Sequence, residues 1–96
     1  MDVWIKEVVS RLDRTKVEVL FGEHAAKDKN LTSNDVDNVV WTIQIGKVDE
    51  EKSTMEKLRV CFKNYVDDLG ITYFVVTEYY PAFIKVVTVI KKKGKY

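Results

Sequence analysis

The sequence is poor in the residues that build metal centres and crosslinks, with one cysteine and one histidine among its 96 residues. Cys61 has no second cysteine to pair with inside the chain, so a reducing, cytoplasmic setting is expected. One histidine and one cysteine cannot supply a conventional zinc site, and we predict neither a metal ion nor a cofactor. No apolar run approaches the roughly 18 residues of a membrane span, so no membrane association is expected.

The chain also lacks an excess of charge of either sign. Lys and Arg number 16 and Asp and Glu number 15, which gives a formal net charge of +1. Proteins that bind polyanions over their whole surface usually carry a strong basic excess, so the charge balance argues against polyanion binding over the whole surface. With 46% hydrophobic residues, the 96 residues predict one domain, whose core needs no metal or disulfide.

Hydrophobic periodicity predicts two helices in the first half of the chain. Residues 2–13 place apolar side chains at helical spacing with polar ones on the opposite side. Thr32 and Asp35 have the spacing of a capping box, so a second helix should begin there. Gly46 is placed to end it in a left-handed conformation. Residues 23–30 are mostly polar and compatible with one or two helical turns.

Alternating and β-branched residues predict strands. Residues 16–21 alternate as a short strand closed by glycine, and residues 58–63 alternate again. Residues 71–80 are rich in β-branched and aromatic side chains, and the turn at 67–70 joins them to the preceding strand as a hairpin. Another apolar strand follows at 83–91.

The order of these elements predicts an α+β fold. The helical part covers about residues 1–45, and an antiparallel sheet covers about residues 46–93 before a basic C-terminal end. We expect the N-terminal helices to pack on one face of a twisted antiparallel β-meander of four or so strands.

Two side chains are candidates for chemistry. His24 is the only imidazole and would be the most economical general acid or base, although a histidine beside Ala25 is also compatible with turn capping or packing. Cys61 lies in a predicted strand between Arg59 and Lys63, whose charges favour a thiolate. A cysteine in the middle of a strand is more often a small packing residue.

Lysines are concentrated at the C-terminus, where Lys91, Lys92, Lys93 and Lys95 precede Tyr96. Such a cluster is suited to gripping phosphates, and equally to protecting an exposed terminal strand from edge-to-edge association. The predicted sheet is also dense in aromatic residues, which either stack on unpaired bases or fill the core.

Several short motifs are similar to a known family. They are Phe21–Ala25, Leu31–Val36, Val39–Val40, Gly46–Val48 and Val86–Val89. In this combination, over roughly residues 17–93, the chain resembles the family called domain of unknown function number 4258, which is placed near the toxin ribonucleases of the RelE, colicin and barnase type. Two features depart from the family pattern: the stretch 26–30 is short and has lysines in place of arginines, and no tyrosine closely follows Thr88.

The resemblance implies an active site made of His24, Arg59 and Thr88. In a metal-independent endoribonuclease, His24 would serve as acid or base, Arg59 would clamp the phosphate, and Thr88 or a tyrosine would orient it. Nucleic-acid-binding charges would come from six lysines: Lys27, Lys63, Lys85, Lys91, Lys92 and Lys93. Because there is one histidine, a tyrosine or lysine would have to fill the second proton-transfer role.

Two further hypotheses keep the fold and drop the reaction. The first is a non-catalytic RNA-binding module that uses the basic end and exposed aromatic residues. The second is a protein-interaction module whose first helix, around Trp4, packs on a second copy of the chain or on a cognate antitoxin. Near-zero net charge favours self-association, because little repulsion opposes it.

Overall fold

The computed structural model describes residues 1–96. The chain forms three α-helices, one short 3₁₀ turn and five strands, and the predicted α+β class is confirmed. In chain order these are α1 (Val3–Ser10), β1 (Glu18–Phe21), α2 (Glu23–Ala26), α3 (Ser33–Ile45), β2 (Lys47–Thr54), the 3₁₀ turn (Glu56–Leu58), β3 (Arg59–Val66), β4 (Ile71–Tyr79) and β5 (Phe83–Lys93). None of the helices has the length and apolar character needed to cross a bilayer.

The sheet has the strand order β1-β5-β4-β3-β2. Strands β2 to β5 form the predicted antiparallel meander, and the hairpin of β3 and β4 has the expected turn before Gly70. The fifth strand, β1, pairs in parallel with β5. It lies between α1 and α2 in the chain, more than sixty positions before its partner β5. A parallel pair needs a long crossover connection of this kind and cannot be joined by a hairpin.

Helices α1 and α3 cover one face of the sheet, here called the helix face. Ile5, Val39 and Ile43 belong to the same buried cluster as Phe62 and Val75 from the central strands. Because successive side chains of a strand point to opposite faces, the alternate residues of β3, β4 and β5 lie on the other side, here called the open face. Ile5 and Val8 are almost fully buried in this core, so that side of α1 is not free for a partner.

Helix α3 begins with the predicted capping box. The Thr32 hydroxyl accepts a hydrogen bond from the Asp35 amide at 3.3 Å, and the Asp35 carboxylate accepts one from the Thr32 amide at 2.8 Å. The prediction of a left-handed Gly46 is wrong, because its φ is −67°. Glycine is needed there for close packing: a Cβ would collide with the Thr42 carbonyl and lie 2.8 Å from that of Lys63.

A buried carboxylate ties α3 to the sheet. Asp35 accepts hydrogen bonds from the hydroxyl of Tyr73 on β4 and from the ammonium of Lys91 on β5, the latter at 3.0 Å. Burial alone would raise the pKa of Asp35, but hydrogen bonds from Tyr73, the Thr32 amide and Lys91 outweigh it and lower the pKa to about 2. Burial and the bond to Asp35 raise the pKa of Tyr73 to about 12.

Cys61 is fully buried on the open face of β3, which confirms its interpretation as a packing residue. Burial first, and then the charge of Asp49, raises the pKa of the thiol to about 12. We expect the native protein to react with a thiol reagent at pH 8 at least about 10²-fold more slowly than the urea-unfolded chain, since the thiolate is the reactive form. Equal rates would contradict this burial.

Candidate functional site

A row of charged side chains crosses the open face at one end of the sheet. The register places Arg59 on β3 beside Glu78 on β4, and Glu78 beside Lys85 on β5. Alternation directs all three side chains to the same face, away from α1 and α3. This charged row contains two of the seven salt bridges of the chain.

The geometry of the charged row buries its anion and exposes its cations. Arg59 Nε lies 2.8 Å from Glu78 Oε2, and Lys85 Nζ lies 3.7 Å from Glu78 Oε1. The side chain of Glu78 is 11% exposed, against 35% for Arg59 and 38% for Lys85. The Tyr80 hydroxyl also donates to Glu78 Oε1 at 3.2 Å. Both cations therefore present free donors to solvent while one carboxylate fixes their positions.

Glu78 stays ionised in this setting. Burial would raise the pKa of its carboxyl, but the hydrogen bonds from Arg59 and Tyr80 and the charges of Arg59 and Lys85 lower it. A carboxylate that holds its proton so weakly is suited to positioning cations rather than to removing protons.

An open depression of about 460 Å³ lies beside the charged row. Lys57 and Tyr80 line it together with the three charged residues. Lys57 and Leu58 have φ values of 61° and 51°, a left-handed backbone that costs non-glycine residues free energy. This strained 3₁₀ turn therefore contributes Lys57 to the lining of the depression.

His24 reaches the other side of Lys85. Strand β1 pairs with β5, and the Gly22 amide continues this pairing by donating to the Val86 carbonyl at 2.8 Å. A Cβ on Gly22 would lie 3.0 Å from the backbone carbonyl oxygen of Val86, so glycine favours the close approach that starts α2 against β5. His24, exposed on α2, lines an open depression of about 650 Å³ together with Lys85.

Lys85 therefore lines both depressions, the one that includes Arg59 and the one that includes His24. Two of the three residues implied by the family resemblance thus approach one surface. Thr88 also lies on the open face, opposite Val76, but lines neither depression.

The predicted binding lysines divide between the two faces. Lys63, Lys85 and Lys92 alternate onto the open face, and Lys27 lies at the rim of the larger depression, paired with Glu23 at 2.7 Å. Lys91 points to the helix face, where its ammonium is held by Asp35 and by the Asn30 carbonyl. Lys93, two positions further along β5, points to the same face as Lys91.

Sequence reasoning missed Glu78 and Tyr80. The signal was present in the hairpin, because the tight turn at 67–70 fixes the register that sets Arg59 opposite Glu78. A cross-strand Arg–Glu pair within apolar strands is a pattern that could have been found from this register.

No three His, Cys, Asp or Glu side chains are grouped to hold a metal ion. Comparison of the chain with protein-family models, with curated proteins and with solved structures found no match. The resemblance stated from the sequence stays a prediction.

Proposed function

We propose that the chain binds RNA across its open face and cleaves it as a metal-independent endoribonuclease of toxin type, acting in the cytoplasm. The observation that carries the proposal is the position of Lys85, which is shared by an exposed imidazole on one side and the Arg59–Glu78 pair on the other. Two cations and one carboxylate leave one net positive charge, which matches the single negative charge of a phosphodiester.

Each residue has a distinct role in this proposal. Arg59 and Lys85 bind the non-bridging phosphate oxygens and stabilise the charge that develops on them. His24 takes the proton of the ribose 2′-hydroxyl, whose oxygen then bonds to phosphorus. The bond from phosphorus to the 5′-oxygen breaks, and the Lys85 ammonium protonates that oxygen, which leaves a 2′,3′-cyclic phosphate and a 5′-hydroxyl. Glu78 positions both cations.

The proposal is tested by incubating a fluorescent RNA with the protein in EDTA, with His24→Ala in parallel. We expect the wild type to release products with 2′,3′-cyclic phosphate ends, and the substitution to slow cleavage by about 10²-fold or more. RNA methylated at each 2′-oxygen is the matched substrate control and should remain intact. An absence of cleavage at protein concentrations that bind the RNA would refute the reaction.

A second candidate function is RNA binding without chemistry on the same face. It is favoured by the state of Glu78, whose oxygens are already engaged by Arg59, Lys85 and Tyr80, and by the position of Thr88 outside both depressions. In that case, binding would weaken with salt and would survive His24→Ala unchanged.

The protein-interaction alternative fits a different surface. Trp41 is 44% exposed and Ile45 is 52% exposed on the outer side of α3, whereas Ile5 and Val8 are buried. A second copy of the chain or a cognate antitoxin would therefore contact α3 rather than the apolar side of α1. Sedimentation of the wild type and of Trp41→Glu over a range of concentrations distinguishes self-association from a monomer.

A further inference from the structure

The end of the open face opposite to the charged row combines aromatic rings with lysines. Phe74 on β4 contacts the C-terminal Tyr96 edge to face, with ring centroids 5.8 Å apart. Lys92 Nζ lies 5.6 Å from the Phe74 ring centroid and 5.4 Å from that of Tyr96, and Lys95 Nζ lies 5.8 Å from that of Tyr65. The aromatic-basic patch comprises Lys63, Tyr65, Phe74, Lys92, Lys95 and Tyr96.

The three lysines of this patch have no acidic partner, whereas a further lysine beside Phe74, Lys52, lies 4.7 Å from that ring centroid and 4.0 Å from Asp49. Lys63, Lys92 and Lys95 take part in none of the seven salt bridges of the chain, whereas Lys85 and Lys91 at other positions do. The positive charges of these lysines repel one another. A nucleic acid that neutralises them also releases the cations condensed on its own phosphates. The patch is therefore complementary to a polyanion.

Tyr96 is presented to solvent on an anchored tail. The Gly94 amide donates to the Gly70 carbonyl at 2.9 Å, and the Thr72 hydroxyl donates to the Gly94 carbonyl at 2.6 Å. Tyr96 itself is 60% exposed, while Phe74 beneath it is 2% exposed. A ring that is held by contacts with Phe74 and Lys92 and is still mostly exposed can accept a flat partner without a large loss of conformational freedom.

We propose that the aromatic-basic patch is a stacking subsite for unpaired bases of single-stranded RNA, with Tyr96 as the principal platform and the three free lysines on the adjacent phosphates. The subsite rests on the proposed binding of RNA to the open face and names its substrate class. Tyr65 lies six residues beyond Arg59 along β3, about 20 Å away, so one strand of RNA spans both places. A duplex keeps its bases stacked on one another and cannot use the rings.

Fluorescence anisotropy with RNA methylated at its 2′-oxygens tests the subsite without cleavage. We expect a single strand of about 12 uridines to bind at least about fivefold more tightly than a blunt duplex of the same length. Tyr96→Ala should weaken single-strand binding by about fivefold or more, the usual range for loss of a stacked base. Trp41→Ala removes an exposed aromatic residue from the outer side of α3 and should leave single-strand binding unchanged.

The lysines are tested by the salt dependence of binding. Replacing Lys63, Lys92 and Lys95 together by Gln should reduce the slope of log affinity against log salt by about 2, whereas Lys6→Gln on α1 should leave it unchanged. Tighter binding of the duplex, or an effect of Tyr96→Ala no larger than that of Trp41→Ala, would overturn the subsite. If the ribonuclease proposal alone is wrong, the single strand is still bound with the expected effect of Tyr96→Ala and the expected salt slope, but unmodified RNA is not cut.

Discussion

Under the proposed ribonuclease function, we expect Arg59→Gln to lower the rate of RNA cleavage by about 10²–10³-fold, the usual cost of losing one preorganised donor to a developing negative charge. The substitution also leaves Glu78, whose side chain is 11% exposed, without its 2.8 Å partner. The uncompensated carboxylate then draws Lys85 toward itself and away from the phosphate. Single-turnover cleavage of a fluorescent RNA measures the change.

Two matched variants separate this effect from unfolding. Arg59→Lys keeps the charge but loses the planar, bidentate geometry of guanidinium, so it should retain more of the cleavage rate than Arg59→Gln does. Arg11→Gln removes an exposed arginine from the end of α1, where its partner is Glu7, and should leave the rate unchanged. A wild-type rate in Arg59→Gln would mean that the charged row does not contact the substrate.

Asp35→Ala destabilises the fold by about 2–4 kcal/mol. The substitution removes the capping box of α3 and leaves the Tyr73 hydroxyl and the Lys91 ammonium without their buried acceptor. Urea unfolding at pH 7, followed by tryptophan fluorescence, measures the loss. Asp37→Ala removes an exposed carboxylate from the same helix and should cost under about 1 kcal/mol. Equal effects of the two substitutions would contradict a structural role for Asp35.

The same carboxylate gives stability a defined pH dependence. The pKa of Asp35 is about 2 in the folded chain and near 4 when unfolded, so the unfolded state binds the proton first as pH falls. Its stabilisation is complete above about pH 4 and is lost as pH falls through about 2. The folded-state advantage is about 2 kcal/mol. Asp35→Asn should lack this contribution, so the stability difference between wild type and variant should shrink between pH 5 and pH 2.

Local patterns predicted the elements of the fold well. The capping box at Thr32 and Asp35 and the hairpin before Gly70 depend on neighbouring residues, and both have the expected form. The parallel pairing of β1 with β5 was missed, because it joins strands more than sixty positions apart and leaves no periodic signal between them. Gly46 was predicted to be left-handed because glycine commonly ends helices in that conformation, whereas its close packing against the Lys63 carbonyl is what requires glycine.

The candidate site shows the same division. His24 and Arg59 were found from the sequence, but their connection through Lys85 depends on the approach of Gly22 to β5, which is a tertiary contact. Lys91 and Lys92 are adjacent in the chain and identical in type, yet strand alternation places one against Asp35 and the other beside Phe74. Composition alone cannot assign such neighbours to structural or binding roles.

The most direct test of the account is acetylation of lysines with and without a 2′-methylated single-stranded RNA, read by mass spectrometry. The account predicts protection of lysines on the open face, Lys63, Lys85 and Lys92, and unchanged labelling of Lys6 and Lys16 outside it. Protection of the second group without the first, or no protection at RNA concentrations that saturate binding, would contradict the assignment of the open face as the RNA site.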